Sequence, residues 1–496
     1  MGEPRGYPLH AAIDDLEGAG LLQTCHLHLD GRWRGPGRDG ICGAELDFSG
    51  ARLDSREIAG GELFVGLAGE HVDGRNYVGA ALRAGATAAL TRTWTGGGAD
   101  PLLSADPGRD AAILVGPDPV AALTLLAKRW RDATRVQVAA VTGTNGKTTT
   151  KDLLAALCAA AAPTHATAGN YNNDLGLPLT LLGLRRDHDL AVVELGASRA
   201  GDIDRLAALA SPQVGVITNA SEAHLSSFGS LAEIVSTKGE LLDHLPPDGA
   251  AVLNADSPGF ADWRARAACR VISCGHEAGD HRWSWRATDG GGALTLDGRT
   301  HAVPLPGRHN GANLAAALLA AEALLGAERF DGELDVADAL SHYAASPHRS
   351  RVLRRGGVTV LDDTYNANPA SLLTAAVAAA QLTGDGRVIA VLGAMAELGP
   401  RSDDLHEAAG RRLHEAGVDL LLAVGGAAAP LADGFAAAGG AAERCEDQRT
   451  AARVLAELVR EGDRVLFKGS RSSAMEEALE AFLKRLAPDL GDLERT

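Results

Sequence analysis

The stretch RVQVAAVTGTNGKTTTKDLLAALCAAAA, residues 135–162, constrains the fold more than any other part of this chain. Its first half is an apolar run of the kind that forms a buried strand, and it ends in glycine. Its second half is rich in good helix formers. Between them lie Gly143, Thr144, Asn145, Gly146, Lys147, Thr148 and Thr149. A strand that turns sharply into a helix aims several backbone N–H groups at one point, and the helix dipole adds a positive field there. Such a turn binds an anion, and the adjacent Lys147 and Thr148 make that anion a polyphosphate with Mg²⁺. The loop is a short one. The common pattern carries a glycine where Val141 stands, and the available glycine, Gly143, comes two places later.

The chain has 496 residues, more than one hydrophobic core serves, so about two to four domains are expected. It is 46% hydrophobic and 22% charged, an ordinary globular balance. The net charge of −17 argues against non-specific nucleic-acid binding. It also means that an anionic ligand must be held by local donors and metal ions. No apolar run reaches the roughly 18 residues of a membrane span. The N-terminus lacks a basic start followed by an apolar stretch, so no secretory signal is expected. The six cysteines are scattered without a C-x-x-C pair and read as reduced thiols of a cytoplasmic protein.

Residues up to about 117 are Gly-rich and read as irregular. From there, strand-like runs at LAVVELG (190–196), VGVITNA (214–220) and AAVLNAD (250–256) alternate with helical stretches, which predicts a mostly parallel sheet covered by helices. The pattern breaks near SPHRSRVLRRGG (346–357) and restarts. VTVLDD (358–363), RVIAVLG (387–393), DLLLAVG (419–425) and DRVLFKG (463–469) are again short apolar strands, with a helix over 370–382. A second α/β domain of about 150 residues is expected there.

Three further stretches carry chemistry. GNYNNDLGLPLTLL (169–182) offers Asn170, Asn172, Asn173 and Asp174 to a polar ligand, although an Asx-rich turn would use the same residues. In VVELGAS (192–198), Glu194 ends an apolar strand, the position where open α/β sheets bind ligands, and suits a metal. NASEAHLSSFGSLAEIVSTKGEL (219–241) holds His224 and Lys238, which taken alone read as a structural histidine and a solvated lysine.

Taken together, in this order and spacing, these stretches resemble the Mur ligase family. The likeness runs through LDSREIAGGELFVGLAGEHVDGRNY (53–77), PGRHNGANLAAALLA (306–320), LDDTYNANPASL (361–372), VLGAMAELGPRSDDLH (391–406) and FKGSRSSAMEE (467–477), and covers roughly residues 50–480. It implies an α/β chain of three domains. Residues 1–117 would form an N-terminal α/β domain for a uridine nucleotide. Residues 118–346 would form a central P-loop ATPase domain with a mostly parallel sheet. Residues 347–496 would form a C-terminal Rossmann-like domain for the incoming dipeptide. The activity implied is that of the branch that joins D-alanyl-D-alanine to UDP-N-acetylmuramoyl-tripeptide, using ATP and an acyl phosphate intermediate, in peptidoglycan precursor synthesis.

The resemblance also implies residue roles. Lys147, Lys238 and His224 would be catalytic. Thr148 and Glu194 would hold one Mg²⁺, with His224 and a carbamylated Lys238 at a second. Asn310 and Asn313 would lie by the adenine, and Arg349 and Asp363 on the nucleotide. Ser55, Arg56, Asn172, Asn173, Tyr365, Asn366 and Asn368 would serve the substrates. Closure would hinge near 346–350. A monomer, without nucleic-acid partner or membrane span, is expected. Several positions depart from the family pattern: Ser198-Arg199 stand where Asn-His is common, Ala394 where Asp is common, and His348 where glycine is frequent. The first 50 residues, including CHLHLDGRW (25–33), match nothing in the family; the alternating histidines read as an exposed strand face, or His26 and His28 with Cys25 and Asp30 as a metal site. A nucleotide-binding scaffold without catalysis is disfavoured because Lys147, Thr148, Glu194, His224 and Lys238 are all present. A GTPase is disfavoured because no N-K-x-D segment occurs.

Overall fold

The computed structural model describes residues 6–34, 46–70, 72–95, 100–104, 106–221 and 228–486. His224 and Cys42 therefore lie outside the described residues. The other five cysteines carry free thiols. By compactness the chain forms two units. One comprises residues 1–140, 162–195 and 205–212, and the other 141–161, 196–204 and 213–496.

The first unit contains a six-stranded sheet, where the residues by themselves read as irregular and the family resemblance implied an α/β domain. Its order is Arg32–Arg34, Thr24–Leu29, Ala111–Gly116, Ala88–Arg92, Leu63–Gly66 and Ala51–Arg52. Thr24–Leu29 is antiparallel to both neighbours, and the remaining pairs are parallel. Every residue of Ala111–Gly116 and of Leu63–Gly66 is buried. Strands buried on both faces lack polar alternation, so short Ala- and Gly-rich ones carry little period to read. Within CHLHLDGRW, residues 24–34 form a hairpin, and His28 is buried with its Nδ1 2.8 Å from the Arg109 carbonyl oxygen. No group of three metal-ligating side chains occurs there or elsewhere among the described residues. The helix Pro119–Ala133 starts on Asp118, whose carboxylate accepts from the N–H groups of Val120 and Ala121. It packs on Gly176–Leu182, with the buried Trp130 donating to the Leu184 carbonyl at 2.8 Å. Thr164–Ala166 runs parallel to Leu190–Glu194 in this unit.

Gln137–Thr142 is the strand that ends in the phosphate loop. In the second unit its last residue, Thr142, accepts from the Thr218 N–H at 3.0 Å, beside the strand Val214–Ile217. Parallel pairing then continues to Ala250–Asn254 and Arg270–Gly275. An antiparallel meander follows, His281–Thr288, Gly291–Leu296 and Arg299–Val303. It ends at the buried helix Arg308–Leu325, which packs against the phosphate-loop helix Lys147–Ala161. Among the described residues, no single helix is long and apolar enough to cross a membrane.

The C-terminal sheet has the order Arg351–Arg355, Val358–Asp363, Arg464–Lys468, Val388–Leu392, Leu420–Val424 and Ala441–Cys445, parallel except at its first strand. Successive residues of a strand face opposite sides. Leu361, Leu392 and Leu466 accordingly enter one core, with Leu372 and Phe435, while Val360, Val391 and Phe467 enter another, with Leu479 and Phe482. Helices cover both faces, as in a doubly wound sheet.

Candidate active site

The phosphate loop is shaped by its glycines. Gly143 has φ +145°, and a Cβ there would lie 2.0 Å from Thr218 Oγ1. Gly146 has φ +81°, and a Cβ there would lie 2.3 Å from Asn313 Oδ1. L side chains rarely adopt such backbone angles, and the neighbours leave no room for one. The residues just after the strand Val214–Ile217 brace the turn. Asn219 gives its carbonyl to the Thr144 N–H (2.9 Å) and its Oδ1 to the Asn145 N–H (3.0 Å). Thr218 Oγ1 donates to the Asn145 carbonyl at 2.6 Å. TNAS (218–221) thus holds the loop from outside, a role the sequence did not reveal.

Lys147 is the first residue of the helix, and its ammonium donates to the Thr144 carbonyl at 3.1 Å. Thr148 is buried and Thr149 is partly exposed. Gly143, Thr144 and Lys147 line a cavity with Ala197, Phe228, Ile234 and Lys238. Lys238 comes from the last turn of the helix Leu231–Gly239 and is 3% exposed, with its Nζ 5.7 Å from the Phe228 ring centroid. The structure therefore brings together two lysines far apart in sequence, beside one glycine turn.

Behind the loop, Asn310 is 1% exposed, and both ends of its amide are engaged. Its Nδ2 donates to the Pro306 carbonyl at 2.8 Å, and its Oδ1 accepts from Asn313 Nδ2 at 3.0 Å. Asn313 in turn presses its Oδ1 toward Gly146. The pair makes a buried bracket that sets the position of Gly146.

The linker and the C-terminal strand ends complete this side. Ser346 Oγ donates to Asp152 Oδ2 of the phosphate-loop helix at 2.5 Å. Asp152 is also ion-paired with the buried Lys151. The Arg349 guanidinium sits 3.8 Å from the centroid of the Tyr365 ring, a cation–π stack. His348 and Ser350 on either side have φ +64° and +49°. The His348 ring is anchored by Asp362 Oδ2 and Thr364 Oγ1, each 3.1 Å from its Nδ1. A left-handed backbone is one that glycine takes freely and histidine only under strain.

Asp363 and Lys468 end adjacent parallel strands in register and form an ion pair. Asp363 Oδ1 also accepts from the Ser350 N–H at 3.0 Å. Burial pushes the Asp363 carboxyl up, but Lys468, His309 and the Ser350 N–H together hold it below its usual range. His309 faces the same pair. Burial pushes its imidazole down to about 4, with Asp363 opposing and Lys468 assisting, and its buried Nδ1 has no hydrogen-bond partner. Neither Lys468 nor His309 stood out in the sequence. The FKGS and GRHN motifs contain them, but only the fold shows that they meet Asp363.

In the first unit, Glu194 is 1% exposed and accepts from Asn172 Nδ2 at 2.6 Å. Asn173 caps the turn into Gly176–Leu182, its Oδ1 accepting from the N–H groups of Leu175 (3.2 Å) and Gly176 (2.9 Å). Ser55 and Arg56 lie in a 3₁₀ turn begun by Asp54, whose carboxylate accepts from the Arg56 N–H at 2.9 Å and pairs with its guanidinium. Of the residues in YNANP, Asn366 is exposed, while Tyr365 and Asn368 are partly buried in contacts of their own.

The chain matches three family models: the Mur ligase family catalytic domain over residues 47–95, the Mur ligase middle domain over 141–321, and the Mur ligase glutamate ligase domain over 348–471. It is 35% identical over 452 residues to the Escherichia coli UDP-N-acetylmuramoyl-tripeptide–D-alanyl-D-alanine ligase, covering 88% of this chain and 94% of that one. Among solved structures, it resembles MurF from Acinetobacter baumannii, with a TM-score of 0.79 and 30% identity over 97% of this chain and 100% of that one. It also resembles the Thermotoga maritima MurF ligase in complex with ADP, with a TM-score of 0.72 and 30% identity over 88% and 97% of the two chains. With the braced glycine loop, the two lysines on one cavity and these matches over most of its length, the chain belongs to the Mur ligase family.

Proposed function

We propose that this chain joins D-alanyl-D-alanine to UDP-N-acetylmuramoyl-tripeptide at the expense of ATP. The observation that carries this reading is the cavity shared by the phosphate loop, Lys147 and the buried Lys238, in a chain whose relatives bear that activity in their names. A carboxylate is a poor acyl donor. Its oxygen attacks the γ-phosphorus of ATP, ADP leaves, and an acyl phosphate results. The dipeptide amine then attacks the acyl carbon, phosphate departs, and the amine loses a proton as the amide forms. Both anions must be held together during the first step. Lys147 and the loop N–H groups would take the phosphates. Arg349, stacked on Tyr365, would add charge on the same side.

Thr148 and Glu194 are the donors proposed for magnesium. Thr148 and Glu194 offer hard oxygen atoms, and Glu194 is a buried carboxylate oriented by Asn172. Bound there, Mg²⁺ would neutralise charge between triphosphate and carboxylate. Lys238 would join a second site with His224 only as a carbamate, since an ammonium repels a cation. Asn310 and Asn313 would act near the adenine by holding the wall behind it. Asp363 would meet the nucleotide, and Ser55, Arg56, Asn172 and Asn173 the uridine substrate. Residues 1–117, 118–346 and 347–496 would be the uridine, ATP and dipeptide domains of a cytoplasmic monomer.

The test is phosphate release from ATP with UDP-N-acetylmuramoyl-tripeptide, with and without D-alanyl-D-alanine, with the product weighed by mass spectrometry. Release that depends on the dipeptide, with a UDP-pentapeptide product, is expected. Release with a different amine only would overturn the substrate assignment. For Lys238, activity should rise with bicarbonate, and a Lys238→Ala variant should be inactive. Full activity of that variant at low bicarbonate excludes the carbamate.

A further inference from the structure

Asn368 begins the helix Pro369–Ala380, and both ends of its amide are engaged. Its Oδ1 accepts from the Ser371 N–H at 2.8 Å, and its own N–H donates to Ser371 Oγ at 3.0 Å, a reciprocal cap. Its Nδ2 donates to Oδ1 of Asn145 at 2.8 Å, across 223 residues of sequence. Asn145 is the middle residue of the phosphate loop. Its Nδ2 donates to Ser221 Oγ at 3.0 Å, and its carbonyl accepts from Asn219 Nδ2 at 3.0 Å. TNAS thus holds the Asn145 backbone and the nitrogen end of its side chain. Asn368 holds the oxygen end.

We infer that Asn368 is a positioning residue of the phosphate loop. Its carbonyl oxygen starts the C-terminal helix while its amide nitrogen fixes Asn145, so one side chain sets the loop and the helix end relative to each other. Loop N–H groups bind phosphate well only when they are held convergent before the ligand arrives, which is the work of a supporting hydrogen-bond shell. The inference moves Asn368 from the dipeptide side of the site to the nucleotide side. It rests on the proposed function only in taking the loop as the nucleotide site.

The experiment is calorimetric titration with ADP of wild type and Asn368→Ser. Serine keeps a capping oxygen but is too short to reach Asn145. Asn368→Asp is a poorer probe, because Asn145 could turn its amide over and donate. The expected result is about fivefold weaker ADP binding, the value of one ordinary hydrogen bond, with the melting temperature and the KM for D-alanyl-D-alanine unmoved. Asn145→Ala leaves the cap untouched but also gives up the bond to Ser221 Oγ, so it should weaken ADP at least as much, and adding Asn368→Ser to it should weaken ADP no further. Ser371→Ala, which loosens the cap without touching the loop, should bind ADP as wild type does. Equal ADP affinity for Asn368→Ser and wild type overturns the inference and leaves the proposed function standing. So does a raised dipeptide KM with ADP affinity intact, or additive losses in the double variant. A wild type that binds no ADP overturns both.

Discussion

Replacing Gly146 by alanine tests the loop geometry most directly. The residue has φ +81°, and a Cβ would lie 2.3 Å from Asn313 Oδ1 and 3.1 Å from its Cγ. The left-handed backbone alone costs alanine roughly 1–2 kcal/mol. The contact cannot be relieved for nothing, because Asn313 is buried and bonded to the buried Asn310. Moving it breaks that bond and leaves a buried amide poorly paired, about 1–3 kcal/mol more. The sum is about 2–5 kcal/mol, or roughly 5–15 °C in melting temperature for a domain-sized unit. The transition to follow is the one that ADP raises, since a chain with several cores need not melt in a single step. Asn313→Ala in the same chain removes the clashing oxygen. The double variant should then be more stable than the two single losses predict, by about 1–2 kcal/mol. A Gly146→Ala protein that melts within about 2 °C of wild type, or a strictly additive double variant, refutes the reasoning.

Three other outcomes follow from the same geometry. Tyr365→Leu should lower kcat/KM for ATP about fivefold through loss of the Arg349 stack, and Tyr365→Phe should stay near wild type; equal effects of the two would show that the ring face is not what matters. His348→Gly should be more stable than His348→Ala by about 1–2 kcal/mol in thermal melts, because alanine keeps the left-handed strain and loses the anchors to Asp362 and Thr364. The reverse order would contradict the backbone argument. The imidazole of His309 is held down to about 4 by burial, against an ordinary value near 6.5. Between those two pH values the unfolded chain takes up a proton that the folded chain refuses, so stability falls as the pH drops, by about 3 kcal/mol at pH 4. Denaturant unfolding of wild type and His309→Asn across that range should show a shallower fall for the variant, and parallel curves would exclude His309 as the source.

The strand, glycine turn and helix at 135–162 were legible because their determinants are neighbours in the chain. An apolar run, two glycines and a Lys-Thr pair make a phosphate loop by local backbone chemistry. The C-terminal strands were legible for the same reason, each being an apolar run bounded by turn residues. The sheet over residues 24–116 was not. Its strands are two to six residues long, as in Ala51–Arg52 and Ala111–Gly116, and several are buried without alternation. The meander His281–Val303 was also missed.

The roles of single side chains were decided by contacts that no local pattern encodes. YNANP announces polar residues before a helix, and the cap is local. That Asn368 also reaches Asn145 depends on a partner 223 positions away. Asn310 reads as an adenine-side residue in its motif, and only the fold shows that its amide bridges the Pro306 carbonyl and Asn313. Lys468 and His309 acquire their meaning only beside Asp363. The sequence by itself determined that the chain has a phosphate loop and α/β domains, because propensity, periodicity and turn chemistry act over a few residues. The tertiary structure alone decided which amides support the loop, which charges are buried in pairs and which histidine is kept neutral. Those depend on desolvation and on partners that only packing brings within hydrogen-bond reach.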